Sequence, residues 1–368
     1  MNPNRYAHLT DLIHAEGLDG LVLNPGPTLT YLTGLIFHLN ERPTVLLISP
    51  PAVPALILAE LEILKAKQSR VPVQPFTYND NPDSWQAAFN QAAQTLHLDG
   101  MKIGVEPERL RFMELIFLEK AAPGAKFVSA GNLLASLRMQ KDEQEIAAMR
   151  KAVQIAQQAL LATMPFIKAG ISEHQIAAEL TLQLLRAGSD PEMPFPPIVS
   201  SGPNSANPHA SPGERKLVHG DLLVIDWGAA YQGYFSDLTR TFAIGEVIPE
   251  FEQIAKIVAE ANGAGRSTAK PGIPAGMVDH AARAVIDQAN YGPYFHHRVG
   301  HGLGMEGHEP PYMYGENPLI LGEGMTFTVE PGIYLADRGG VRIEDDVVIT
   351  RDGAETLSDL ARNLIHLG

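Results

Sequence analysis

The chain contains no cysteine in its 368 residues. Disulfide bonds, zinc sites built from thiolates, iron–sulfur clusters and a cysteine nucleophile are therefore excluded. A metal site in this chain would have to use carboxylate oxygens and imidazole nitrogens, which are the strong side-chain ligands that remain.

Long apolar runs and an excess of positive charge are also missing. Apolar stretches such as 44–48 and 54–58 are far shorter than the ~20 residues that span a bilayer. The first residues lead into a polar amphipathic segment, without the apolar run of about 7 to 15 residues that a signal peptide needs. With 28 basic against 42 acidic residues the net charge is −14, which repels nucleic acid and anionic lipid. We therefore expect a cytoplasmic protein that binds neither nucleic acid nor membrane.

The length predicts two domains, because one domain usually has about 100 to 200 residues. In residues 1–135 short apolar runs alternate with amphipathic helical patterns, which indicates an α/β domain. The expected strands are 20–23, 45–48, 102–105 and 127–128, and the expected helices are 4–16, 85–98 and 108–120. The composition turns polar at 138–142, so we place the domains at 1–135 and 136–368.

The second domain reads as α+β with hairpins. A helical stripe predicts a helix over 143–163, and Ser172 with Gln175 forms a capping box that opens a helix ending at Gly188. Further helices are expected at 249–265 and 275–290, and strands at 222–229, 234–244, 325–330 and 341–350.

Two of these strand pairs carry acids in apolar surroundings. A hairpin centred between Tyr231 and Gln232 would place Asp226 directly opposite Asp237, with Cβ atoms about 5 Å apart. Like charges at that distance are destabilising unless something positive lies between them. The first hairpin therefore predicts a cation site.

The second hairpin repeats this construction. A centre at Asp337 places Glu330 opposite Glu344, and His301 among glycines adds an imidazole. Four carboxylates suit Mn²⁺, Mg²⁺, Co²⁺ or Zn²⁺, and two such ions would lie about 3.5 to 4 Å apart. Arg342, two residues before Glu344 on the same strand face, could neutralise or order this cluster.

Three further histidines, His209, His297 and His308, lie in segments rich in glycine or proline. A single loop histidine is more often a surface residue. These three, however, are not isolated in the sequence.

Five segments in a fixed order carry a family resemblance. They are 225–228, 236–241, 300–304, 328–334 and 341–345. The chain resembles the superfamily of methionine aminopeptidase, prolidase and aminopeptidase P, whose catalytic domain has the α+β pita-bread fold. Segments 31–34 and 41–43 resemble the α/β N-terminal domain of creatinase and prolidase. That domain points to the Xaa-Pro peptidase branch.

The resemblance implies a function for each site residue. The ligands of two divalent ions would be Asp226, Asp237, His301, Glu330 and Glu344. Mn²⁺ is the first expectation for these ions, with Co²⁺, Zn²⁺ or Fe²⁺ as alternatives. His209, His297 and His308 would contact substrate, Arg342 and Tyr334 would lie near the scissile bond, and the chain would form a homodimer.

The expected reaction is hydrolysis of the bond between an N-terminal residue and proline, with a metal-bridging hydroxide as nucleophile and Glu330 as general base. Arg298 or Arg342 could bind the free carboxylate of a dipeptide. That contact does not decide between the two activities. Prolidase action on Xaa-Pro dipeptides is the first expectation, slightly ahead of aminopeptidase P action on longer peptides. A peptide-binding scaffold with a structural metal site and hydrolysis of a non-peptide amide remain alternatives.

Overall fold

The structure is a computed structural model that describes residues 4–368. Met1 to Pro3, the start of the segment in which no signal peptide was recognised, lie outside the described residues. The chain divides into two compact units between Arg138 and Met139. Within 4–368, none of the helices has the length and apolar character needed to cross a membrane.

The first unit is built on a six-stranded mixed sheet with the order β4-β3-β2-β1-β5-β6. Its strands are β1 (Gly20–Leu23), β2 (Val45–Ile48), β3 (Ala55–Ala59), β4 (Gln74–Tyr78), β5 (Lys102–Val105) and β6 (Lys126–Ser129). Its helices are α1 (Asn4–Ala15), α2 (Pro27–Thr33), α3 (Ile63–Ala66), α4 (Trp85–Thr95), α5 (Phe112–Ala121) and α6 (Gly131–Met139).

The predicted strands at β1, β2, β5 and β6 are confirmed, whereas β3 and β4 were not anticipated. β4 contains Pro75 and lies at the sheet edge, paired only with β3. An edge strand tolerates proline because one side of its backbone needs no partner. The helix expected from 108 begins only at Phe112, because the Glu114 carboxylate accepts from Arg111 N (3.1 Å) and caps the first turn there.

In the second unit the helices are α7 (Glu143–Thr163), α8 (Glu173–Ala187), α9 (Pro249–Thr268) and α10 (Gly276–Gln288). The predicted capping box is confirmed, since Ser172 Oγ accepts from Gln175 N (3.2 Å) and Gln175 Oε1 accepts from Ser172 N (3.0 Å). Gly188 ends α8 with φ 100°, a left-handed conformation that favours glycine.

The second unit has two larger sheets, with the orders β19-β11-β8-β7 and β13-β12-β14-β17-β18, and the ribbons β9/β10 and β15/β16. The strands are β7 (Ile198–Ser201), β8 (Leu222–Trp227), β9 (Ala230–Tyr231), β10 (Tyr234–Phe235), β11 (Leu238–Ile244), β12 (Gly300–Gly302), β13 (Glu309–Met313), β14 (Thr326–Val329), β15 (Gly332–Leu335), β16 (Gly339–Arg342), β17 (Asp345–Ile349), β18 (Ala354–Thr356) and β19 (Ile365–Leu367).

The predicted pairing of Asp226 with Asp237 was wrong in its register. In the ladder between β8 and β11, Asp226 lies opposite Thr239. The turn is centred one residue later than predicted because Gln232 and Gly233 both adopt positive φ, 53° and 78°, as the two central residues of a tight hairpin turn do. The resulting shift of two residues is even, so Asp237 keeps the same face as Asp226.

The predicted register of the second hairpin is confirmed. Val329 pairs with Asp345 on one side of Glu330, and Gly332 pairs with Arg342 on the other. Both pairs belong to the register that places Glu330 opposite Glu344.

The strands predicted over 234–244 and 341–350 are each interrupted, so the expectation of continuous strands was wrong. The first is interrupted at 236–237, which includes Asp237, and the second at 343–344, which includes Glu344. Asp237 N donates to the Asp346 carboxylate (3.0 Å), and Glu344 N donates to Thr239 O (3.1 Å). These amides leave the regular ladders, so each break coincides with a candidate metal ligand.

Two apolar clusters support these strands. One contains Ile254 of α9 and Phe327 of β14. The other contains Met149 of α7, Leu180 of α8 and Trp227 of β8. The acid-bearing strands are thus backed by packed helices, which fixes their backbone positions.

A buried ion pair ties the start of α7 to β13. Lys141 Nζ lies 2.7 Å from Glu309 Oε1, with side chains 1% and 3% exposed.

We expect Lys141→Met to lower the free energy of unfolding by about 3 kcal/mol, because it removes the ammonium partner of a buried carboxylate. The exposed pair Arg150–Glu355 provides the control, since Arg150→Met should cost less than about 1 kcal/mol. Urea denaturation of both variants checks this, and equal losses would contradict it.

Candidate active site

The four carboxylates and the imidazole predicted as metal ligands converge in the second unit. Together with His308, they form three overlapping groups whose ligand atoms lie within 4.8 Å of one another in each group. The groups are Asp226, Asp237 and Glu344; His301, Glu330 and Glu344; and Asp237, His301 and His308. Both hairpins and β12 therefore deliver their side chains to one place.

Burial and mutual repulsion make this cluster electrostatically unfavourable for negative charge. Burial raises the pKa of Asp237 and Glu344 well above the usual range, and the neighbouring carboxylates add to the effect. Burial also raises the pKa of Glu330 to about 8. A divalent cation would favour the ionised forms by supplying the missing opposite charge.

His301 has the protonation and orientation of a metal ligand. Its Nδ1 lies 3.1 Å from Gly302 O, so Nδ1 carries the proton and Nε2 has a free lone pair. Burial and the neighbouring His308 lower its pKa to about 3, so the ring is neutral. Nε2 lies 3.5 Å from Glu330 Oε1 and 3.7 Å from Asp237 Oδ2. Acceptors that face one another in this way fit a shared cation.

Asp226 offers one free oxygen. Its Oδ2 accepts from Arg342 Nη2 at 2.6 Å, whereas Oδ1 is buried and has no hydrogen-bond partner among residues 4–368. An anchored carboxylate with a free oxygen fits metal ligation. Together with the other hard oxygen donors and one imidazole, this donor set suits Mn²⁺, Co²⁺, Zn²⁺ or Fe²⁺.

Tyr334 and His297 form a hydrogen-bonded network with Arg342. Arg342 Nη1 donates to Tyr334 Oη (3.1 Å), and Tyr334 Oη lies 2.9 Å from His297 Nε2. Because an arginine can only donate, the tyrosine proton points to Nε2 of His297. The other ring nitrogen of His297, Nδ1, donates to Arg298 O (2.8 Å). Burial lowers the pKa of His297 to about 4, in agreement with this neutral tautomer. Both ring nitrogens are thus engaged within the protein, and His297 orients Tyr334.

His308 and His209 lie at the solvent side of the cluster. The rings of His301 and His308 stack with centroids 3.7 Å apart. Pro208 O accepts from Arg342 Nη1 (3.2 Å), which brings the loop with the exposed His209 beside the site. Arg298 is half-buried, and its guanidinium lies 4.4 Å from the centre of the Tyr312 ring. The sequence analysis did not anticipate that His308 lies within reach of the ligand atoms.

Buried polar residues behind the cluster were given no role in the sequence analysis. Arg240 Nη2 donates to Asp345 Oδ1 (2.7 Å), and Arg240 Nη1 donates to Glu344 O (2.7 Å). Thr239 Oγ1 donates to Glu344 Oε2 (2.7 Å). The signal that could have found them is the pair Asp345 and Asp346 in an otherwise apolar strand, because buried carboxylates need partners.

Comparisons with known proteins agree with this geometry. Residues 147–351 match Metallopeptidase family M24, and residues 5–140 match the Creatinase/Prolidase N-terminal domain. The Xaa-Pro dipeptidase of Pyrococcus horikoshii is 34% identical, and the match covers 97% of each chain.

Two solved structures are similar along the chain. The prolidase of Thermococcus sibiricus superposes with a TM-score of 0.94 at 33% identity, covering 100% of both chains. The X-Pro aminopeptidase of Thermotoga maritima gives a TM-score of 0.86 at 33% identity, covering 98% of this chain and 99% of that one. The family resemblance and the fold class expected from the sequence are confirmed. The chain belongs to metallopeptidase family M24, with a creatinase/prolidase N-terminal domain before a catalytic domain of the pita-bread fold.

Proposed function

We propose that this protein is a metal-dependent Xaa-Pro dipeptidase that hydrolyses the bond between an N-terminal residue and proline. The observation that carries the proposal is the buried cluster in which His301 Nε2 faces Asp237 and Glu330. Relatives named Xaa-Pro dipeptidase and prolidase support the substrate class.

The residues proposed to hold two divalent cations are Asp226, Asp237, His301, Glu330 and Glu344. When bound, such ions supply Lewis-acid activation of a water molecule and of the scissile carbonyl. Mn²⁺ is the proposed ion, because hard carboxylate oxygens dominate the donor set.

Glu330 is proposed as the general base. With cations bound, this buried carboxyl group would stay ionised, so that it could accept a proton from the attacking water. It takes a proton from the attacking water and delivers it to the proline nitrogen as the peptide bond breaks. This proton is required because the nitrogen would otherwise leave as a strongly basic amide anion, and it becomes the N–H of the released proline.

His308 and His209 are proposed to contact the peptide carbonyl. Burial lowers the pKa of His308, with a further contribution from the positive charge of Arg298. A neutral imidazole donates one N–H, which stabilises negative charge that develops on the carbonyl oxygen. Tyr334, which is hydrogen-bonded to His297 and Arg342, is proposed to lie beside these histidines near the scissile bond.

Arg298 is proposed to bind the free carboxylate of the dipeptide. Arg342 is less available for that task, because its Nε, Nη1 and Nη2 atoms all donate within the protein, to Thr239, Tyr334, Pro208 and Asp226. A guanidinium fork matches a carboxylate in two parallel hydrogen bonds.

Aminopeptidase P activity on longer peptides is the second candidate. The similarity to an X-Pro aminopeptidase over nearly the whole chain favours it. The proposal further includes a homodimer, a cytoplasmic location, and domains at 1–135 and 136–368.

The first prediction concerns substrate length. The protein stripped of metal and reloaded with Mn²⁺ should hydrolyse Ala-Pro faster than Ala-Pro-Ala, because only the dipeptide places a carboxylate beside its proline. Steady-state kinetics of alanine release check this, because cleavage before proline frees the N-terminal alanine of both peptides and leaves proline from one and Pro-Ala from the other. A preference for the tripeptide would assign aminopeptidase P activity instead. If neither peptide is cleaved in any metal form, the peptidase proposal fails.

The second prediction concerns a proposed ligand. Asp226→Asn should reduce turnover more than about 100-fold, because the amide keeps the bond from Arg342 but loses the negative charge offered to the ion. Circular dichroism should remain that of the wild type. Asp352→Asn, at an exposed position, is the matched control and should retain activity. Substantial turnover by Asp226→Asn would remove Asp226 from the ligand set.

The third prediction is a pH dependence of metal affinity. Since burial raises the pKa of Glu330 to about 8, the metal-free protein holds a proton there at neutral pH, and the cation must displace it. Mn²⁺ affinity should therefore rise with pH between about pH 6 and about pH 8, by up to about tenfold per unit for each proton released. Titration calorimetry in buffers of different ionisation enthalpy measures the protons. A pH-independent affinity would contradict the proposed ligand role of Glu330.

A further inference from the structure

Thr239 lies where the two acid-bearing hairpins meet. It is fully buried on β11, directly opposite Asp226 of β8. On its other side it forms an isolated bridge with Glu344, whose N donates to Thr239 O (3.1 Å). Its backbone is therefore shared between the supports of two proposed ligands.

The hydroxyl of Thr239 connects two charged side chains. It accepts from Arg342 Nε at 3.1 Å and donates to Glu344 Oε2 at 2.7 Å. When Glu344 is ionised, as a metal ligand would be, the hydroxyl proton points to its carboxylate, because the arginine on the other side has no acceptor.

Arg342 extends this connection to the first hairpin, since its Nη2 donates to Asp226 Oδ2 (2.6 Å). A continuous chain of hydrogen bonds thus runs from Asp226 through Arg342 and Thr239 to Glu344. It fixes the rotation of two carboxylates that would otherwise repel each other.

Thr241 offers an internal comparison. It lies two residues further along β11, on the same face, and is also buried. Within residues 4–368 its hydroxyl forms hydrogen bonds only with the backbone of Arg342, accepting from N (3.1 Å) and donating to O (2.9 Å). Thr241 therefore joins two strands, whereas Thr239 holds side chains of the site.

We propose that Thr239 is a positioning residue of the metal centre, whose hydroxyl sets the orientation of Glu344 and Arg342 for ion binding. This inference rests on the proposed metal site and adds a residue that touches neither ion nor substrate. Partners of ligands that lie outside the coordination sphere commonly contribute about 10- to 100-fold to metal affinity.

The test is to titrate metal-free protein with Mn²⁺ alone and to measure the Mn²⁺ affinity by calorimetry. Thr239→Val keeps the volume but removes the hydroxyl, leaving a buried carboxylate oxygen and a buried guanidinium N–H without their partner. Its affinity should fall about tenfold or more. Thr239→Ser keeps the hydroxyl and should bind Mn²⁺ about as tightly as the wild type. Thr241→Val is the matched control and should do the same.

Wild-type affinity in Thr239→Val, or an equal loss in Thr241→Val, would overturn the inference, because either result shows that the hydroxyl of Thr239 has no specific role. Should Thr239→Val lose its circular dichroism signal, Thr239→Ala removes the same hydroxyl without adding a methyl group in its place, and the same outcomes apply. The peptidase proposal is judged separately on wild-type hydrolysis of Ala-Pro. A wild type that binds Mn²⁺ but cleaves nothing would remove that proposal and leave this inference standing.

Discussion

Repulsion among four buried carboxylates is the constraint on which the second unit depends. Burial raises the pKa of Asp237 and of Glu344 well above the usual range, and nearby carboxylates, Glu344 for the former and Glu330 for the latter, raise them further. A fold tolerates such a cluster when a cation, a guanidinium or a proton compensates it. Arg342 compensates Asp226 directly. The remaining negative charge faces the neutral Nε2 of His301, which matches the arrangement of a divalent metal site.

The strands are shaped around this cluster. Each of two strand segments, 234–244 and 341–350, is interrupted beside a proposed ligand, Asp237 in one and Glu344 in the other. The backbone amides of these two residues donate to Asp346 and Thr239. The buried pair of Arg240 and Asp345 supports the same backbone, since Arg240 Nη1 also donates to Glu344 O. The site is thus set on rigid elements, and its ligands are oriented by hydrogen bonds rather than by side-chain packing alone.

Much of this arrangement was predictable from the sequence, and the errors have physical causes. The acids stand out because charges are rare in apolar strands. Side chains alternate between the two faces of a sheet, so a register error of two residues still leaves Asp226 and Asp237 on the same face. The register of that hairpin was misjudged because the positive φ of Gln232 is uncommon for a residue other than glycine or asparagine. β4 escaped notice because proline normally argues against a strand. The role of Thr239 depends on contacts between two hairpins distant in sequence, which no local pattern reports.

The central claim is that the two hairpins and His301 together hold two divalent cations. Anomalous X-ray diffraction from crystals of the protein loaded with Mn²⁺, recorded at the manganese absorption edge, tests it most directly. The account predicts two anomalous peaks enclosed by Asp226, Asp237, His301, Glu330 and Glu344. Peaks elsewhere on the protein, or none within this cluster at saturating Mn²⁺, would contradict it.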